Sequence, residues 1–104
     1  MDRSCCLFAC RRKGVWSGRP QRRCAAAFLA RNLPLHILVN NAGLAGGKGL
    51  TASGFELAFC TNHLGPFLLT QLLQERMEAS APARIVTVAS RAHYRVPAWN
   101  WEAL

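Results

Sequence analysis

The stretch LHILVNNAG, residues 35–43, begins as a buried strand and ends as a loop. Leu35, Ile37, Leu38 and Val39 form an apolar run that stops abruptly in Asn40, Asn41, Ala42 and Gly43. A later stretch, IVTVAS at residues 85–90, repeats the plan: Ile85, Val86 and Val88 lead into Ala89 and Ser90. Near-continuous apolar runs of this length suit strands covered on both faces, as in parallel sheets. One long helical pattern separates the two, so the order is strand, helix, strand. Such a unit crosses over right-handedly in nearly all cases, and both strands end at the same edge of the sheet. Ligands of open α/β sheets bind at that carboxyl edge. The spacing therefore predicts Asn41, Gly43 and Ser90 side by side at a site.

Length and charge narrow the field. The chain has 104 residues, enough for one small domain, and 51% hydrophobic content argues against wholesale disorder. Two strands and one or two helices make a poor core, so the composition reads as part of something larger. The net charge is +8 and uneven. Residues 1–31 carry eight Lys/Arg and one Asp, or +7; residues 32–104 carry five Lys/Arg and four Glu, or +1. Residues 1–21 show no periodicity and read as a disordered basic arm, with residues 22–104 as the folded part. Nucleic acid, an anionic membrane and a targeting role are the alternatives for the arm. Cys5, Cys6, Cys10 and Cys24 are spaced wrongly for paired zinc ligands, and Cys60 makes the count odd, so no metal and no disulfide framework is expected. No run is long and apolar enough for a membrane span, and the protein is expected to be intracellular rather than secreted.

CAAAFLAR, residues 24–31, favours helix, which Asn32 and Pro34 should end. Gly43, Gly46, Gly47 and Gly49 fit neither a Walker loop nor a GxGxxG fingerprint and read as a loop leaving the strand. Ser53 begins the long helix, with Glu56 three residues on as a capping box. Phe55, Phe59, Asn62, Pro66, Leu69 and Leu73 share one stripe, and Leu57, Leu64, Leu68 and Leu72 widen it. Pro66 has no N–H for the carbonyl of Asn62, so the helix is expected to be kinked there, with that carbonyl free for a water or ligand. Tyr94 is followed at the fourth place by Ala98, and His93 reads as a loop residue.

The runs NNAG at residues 40–43, SGFELAF at 53–59, NHLGPFLLTQLL at 62–73 and RIVTVAS at 84–90, in this order, resemble the middle of a short-chain dehydrogenase/reductase of the retinol-dehydrogenase-like kind. The resemblance covers residues 24–94, about two thirds of the chain. It implies an α/β fold: an incomplete Rossmann-type three-layer fold with a parallel βαβ core. It implies that Asn40, Asn41, Ala42 and Gly43 line the adenosine side of NAD or NADP. It implies that Asn62 and Ser90 belong to the family's catalytic Asn-Ser-Tyr-Lys set. There the Asn carbonyl holds a water of the proton relay and Ser hydrogen-bonds the oxygen of a small alcohol or carbonyl substrate. The usual VSS ending is VAS here, so Ala89 departs while Ser90 keeps its place.

The glycine loop TGxxxGxG, the three preceding strands and the YxxxK pair have no counterpart in these residues. The resemblance therefore implies a truncated member, with weak nucleotide binding and little activity of its own. The helix over residues 53–80 resembles the one that makes dimer contacts in that family. A homo- or heterodimer with a full-length relative is accordingly a second, non-enzymatic expectation.

Overall fold

The structure, a computed structural model, describes residues 18–45, 48–51 and 53–95. Helix α1 (Arg19–Leu29) leads into strand β1 (Ile37–Asn40). A short helix α2 (Leu57–Phe59), a π-helical turn (Cys60–Leu64) and helix α3 (Gly65–Ala79) follow without a break. Strand β2 (Arg84–Thr87) and a 3₁₀ turn (Arg91–Arg95) complete the order. The two strands pair in parallel, with Ile37 opposite Arg84, Leu38 opposite Ile85, Val39 opposite Val86 and Asn40 opposite Thr87. The expected strand–helix–strand unit is present, and both strands end at one edge.

Helix α1 starts earlier than its alanine run suggests and takes in Arg19, Pro20 and Gln21, which the charge pattern assigned to the basic arm. Pro20 stands in the first turn, where its missing N–H has no helical acceptor to lose. Gly18 precedes it with φ 62, and a Cβ there would collide with Cδ2 of Leu68. Glycine is thus needed both for the left-handed backbone and for close approach to α3. At the other end Asn32 adopts φ 50 and donates its N–H to Leu29 O (3.0 Å), so the chain turns out of the helix there. Residues 1–17, which include Cys5, Cys6, Cys10, Trp16 and most of the arm, lie outside the described residues, as do 46–47 and 96–104. Among the described residues no cluster of three or more His, Cys, Asp or Glu could hold a metal ion. Nor is any described helix long and apolar enough to cross a membrane.

The long helix differs from the sequence expectation in start and phase. It begins at Leu57, and the capping box does not form. Glu56 caps the helix itself, its carboxylate accepting from the N–H of Ala58 (2.9 Å) and of Phe59 (2.6 Å). Ser53 instead lies in a turn with Gly54 at φ 82, closed by Gly54 N–H to Thr51 O and Phe55 N–H to Thr51 Oγ1. The irregularity expected at Pro66 takes the form of the π-turn: Gly65 donates its N–H to Cys60 O, five residues back.

That extra residue shifts the phase of everything after it. The buried positions from Leu57 onward are Leu57, Cys60, Gly65, Leu73, Met77 and Ser80, with a step of five at the π-turn. Of the expected stripe, Phe55 and Phe59, which precede the π-turn, are 41% and 45% exposed and Asn62 within it is exposed, while Leu73 after it is buried.

Helix α3 lies between α1 and the sheet. Gly18 sits over Leu68 and Gln21 over Gly65, so α1 and α3 run antiparallel. Side chains alternate across a strand, and the half-buried Leu38 and Asn40 mark the face toward α3. Ile37, Val39, Val86 and Val88 fall on the opposite face and are exposed. Of the two apolar runs that read as covered on both sides, β1 is half-buried on the face toward α3 only, and β2 is exposed throughout, Ile85 opposite Leu38 included.

Candidate functional site

The site grows out of the ends of β1 and β2. Val88 N–H donates to Asn40 O (3.0 Å), which carries the parallel ladder one step past the strands. The chain after Asn40 and the chain before Ser90 therefore leave the sheet side by side. Asn40 turns its side chain toward the helix, donating Nδ2 to Thr70 Oγ1 of α3 (3.1 Å). Asn41, Ala42 and Gly43 are exposed at this edge.

Asn62 reaches the same edge from the π-turn. Its Oδ1 accepts the N–H of Leu44 (2.7 Å) and its Nδ2 donates to Leu44 O (3.0 Å). The reciprocal pair holds the loop immediately after the NNAG run, using both ends of one amide. A Cβ on Gly43 would lie 3.5 Å from Asn62 Oδ1, an ordinary contact, so that glycine is not required by space. The π-turn has a local consequence here: the added residue sets which side of the helix Asn62 occupies. Asn62 is exposed, and its side chain is a loop clamp on the open side of the helix.

Ser90 closes the edge on the β2 side. Its Oγ accepts Ala92 N–H (3.1 Å) and so caps the 3₁₀ turn, leaving the hydroxyl hydrogen to donate outward. Ser90 O contacts His93 Nδ1 (2.6 Å). A carbonyl only accepts, so Nδ1 carries the proton and, in the neutral ring, Nε2 is the acceptor. The His93 and Tyr94 rings lie 4.0 Å apart between centroids. Ser90, His93 and Tyr94 are all exposed.

Two supporting contacts escaped the sequence reading. Ser80, at the end of α3, donates Oγ to Arg76 O (2.6 Å) and accepts Leu35 N–H (3.0 Å), joining the helix end to the entry of β1. Thr70 anchors Asn40 as above. Each is a single hydroxyl whose partner is distant in sequence, and no local pattern marks it. Among the described residues a protonation shift is resolved at Glu56. The N–H bonds from Ala58 and then Phe59 hold its carboxyl below the ordinary value of 4.5.

The short chain dehydrogenase family model matches residues 19–101. Over 74 residues the chain is 54% identical to retinol dehydrogenase 12 of Homo sapiens, covering 70% of this chain and 23% of that protein. It is 51% identical over 74 residues to retinol dehydrogenase 11 of Homo sapiens, with the same 70% and 23% coverage. It is 50% identical over 70 residues to the WW domain-containing oxidoreductase of Gallus gallus, covering 66% of this chain and 17% of that protein. The chain thus spans less than a quarter of the length of these curated relatives.

Proposed function

Since this chain belongs to the short-chain dehydrogenase family, we propose that its carboxyl edge is one side of a nicotinamide-nucleotide site for alcohol–carbonyl oxidation and reduction. Members of the family generally use NAD or NADP, and the exposed backbone and side chains of Asn41, Ala42 and Gly43 suit the adenosine side of either. Asn40 contributes by its hydrogen bond to Thr70, which fixes the strand end, rather than by reaching outward. The cofactor, when bound, would accept or deliver a hydride. Ser90 would donate its free hydroxyl hydrogen to the substrate oxygen and so orient the carbon at which hydride transfer occurs. Asn62 holds the loop after Gly43 through Leu44 and keeps the two sides of the edge in register. Names of the relatives point to retinol-like alcohols and aldehydes as the substrate class.

The observation that carries this reading is the Asn62–Leu44 clamp, which joins the helix to the NNAG loop beside the strand that ends in Ser90. It leaves one role unfilled. Tyr94 has Ala98 at the fourth place after it, so no lysine stands where the family's tyrosine needs one to lower its pKa. General acid–base catalysis of this kind is worth about 10²–10⁴-fold. The 104-residue chain is therefore expected to show no nicotinamide-linked turnover of retinol or retinal and only weak nucleotide binding. Absorbance at the reduced-nicotinamide band and calorimetry check this. Turnover that disappears in Ser90→Ala would overturn the inactive reading, and sub-micromolar nucleotide binding would overturn the weak one.

A second reading rests on the helix surface. Phe59, His63 and Phe67 stack along it, with ring centroids 5.2 and 6.4 Å apart, and both phenylalanines are exposed. This face would be the contact for a homo- or heterodimer. Leu68 and Leu72 of the same helix are half-buried, Leu68 beneath Gly18.

A further inference from the structure

Helix α1 presents two unlike faces. Ala25 is buried and Gln21, Cys24, Phe28 and Leu29 are half-buried. The other side runs Arg19, Arg22, Arg23, Ala26, Ala27 and Ala30, all exposed and spaced by three, one, three, one and three. Three guanidinium groups thus occupy one stripe, followed by three methyl groups on the same stripe. No Asp or Glu occurs between residues 18 and 55, and no acidic side chain stands in the first turn of α1. In sequence, Arg11, Arg12 and Lys13 come shortly before the stripe.

We propose that this face of α1 is a docking surface for the phosphate backbone of a nucleic acid. Charge complementarity supports a polyanion, because arginines gathered on one exposed helix face are the electrostatic footprint of phosphate binding. The alanine half of the stripe distinguishes between polyanions. A helix that binds an anionic membrane carries Trp, Phe or Leu on its outward side to enter the lipid boundary. Here the large apolar groups Phe28 and Leu29 are among the half-buried residues, and only methyl groups face out. Those methyl groups allow the helix axis to approach a duplex backbone closely while arginines on the same side reach the phosphates. The contact reads no bases, so binding is independent of sequence. The surface is separate from the carboxyl-edge site, and nothing in the inference depends on the oxidoreductase reading.

The test titrates the full 104-residue chain into a fluorescein-labelled 20-base-pair DNA duplex between 50 and 200 mM NaCl, read by anisotropy. Affinity should fall steeply with salt, because neutralised phosphates release counterions. The variant R19Q/R22Q/R23Q should lower the slope of log K against log salt by about three, roughly one per arginine, and weaken binding at 50 mM more than tenfold. R19K/R22K/R23K should keep most of the slope, which separates charge from folding. Far-UV circular dichroism of each variant should match the parent. An unchanged slope in the glutamine variant, the absence of any duplex binding, or tighter binding to phosphatidylserine vesicles than to the duplex at equal salt would each overturn the proposal.

Discussion

The two faces of the sheet differ in what holds them. On the face toward α3, polar contacts span long stretches of sequence: Asn40 to Thr70, Leu35 to Ser80. They stand beside the buried side chains of Leu73 and Met77. On the other face Ile37, Val39, Val86 and Val88 are apolar and exposed. Hydrophobic patterning alone would rank the faces equal. The difference teaches that position in this unit is set by a few single hydrogen bonds on the helix side, while the opposite face has only burial to offer and leaves its side chains 44% to 61% exposed.

The sharpest way to break the comparison is to delete equivalent bulk from each side. Leu73→Ala removes a side chain that is 5% exposed and should cost about 2–5 kcal/mol, enough to erase a cooperative transition in a unit this small. Val86→Ala trims a side chain that is 44% exposed and should cost less than about 1 kcal/mol. Urea unfolding followed by far-UV circular dichroism checks both, and equal effects would mean that the open face is covered in solution.

A smaller effect sharpens the polar half. Ser80→Ala leaves Leu35 N–H without its acceptor and removes the bond to Arg76 O, so about 1–3 kcal/mol should be lost. Hydrogen exchange at Leu35 should rise more than at Val39.

The smallest effect belongs to the cap. Glu56 accepts two backbone N–H bonds as a carboxylate, which lowers its pKa below 4.5 in the folded state. Its contribution is full above the unfolded value and is lost as pH falls through the folded one. Midpoints of the parent and of Glu56→Gln should therefore differ at pH 7 and converge toward pH 3.

How much of this was legible in the sequence depends on the range of the interaction that decides it. Both strands and their shared edge could be read, because an apolar run ending in Asn-Asn-Ala-Gly or Ala-Ser is local. The helix start could not. Ser53 and Glu56 imitate a capping box, but Gly54 at φ 82 places Ser53 in a turn and leaves Glu56 to cap the helix itself. The buried stripe was legible in part: Leu73 is buried as its spacing implies, Phe55 and Phe59 before the π-turn are exposed, and the step of five from Cys60 to Gly65 is one that spacings of three and four cannot anticipate. Asn62 was legible as an anomaly, a polar side chain on an apolar stripe, though its partner Leu44 was not. Ser80 and Thr70 carry no signal beyond an ordinary hydroxyl.

The central claim is that this strand–helix–strand edge supplies the Asn62 and Ser90 side of an oxidoreductase site. A chimera tests it most directly: the matched segment of human retinol dehydrogenase 12 is replaced by the corresponding residues of this chain, and nicotinamide-linked turnover of retinal is measured. The account predicts that the chimera turns over and that Ser90→Ala within it lowers kcat at least about 100-fold with its fold intact by circular dichroism. An active chimera in which Ser90→Ala has no effect would contradict it.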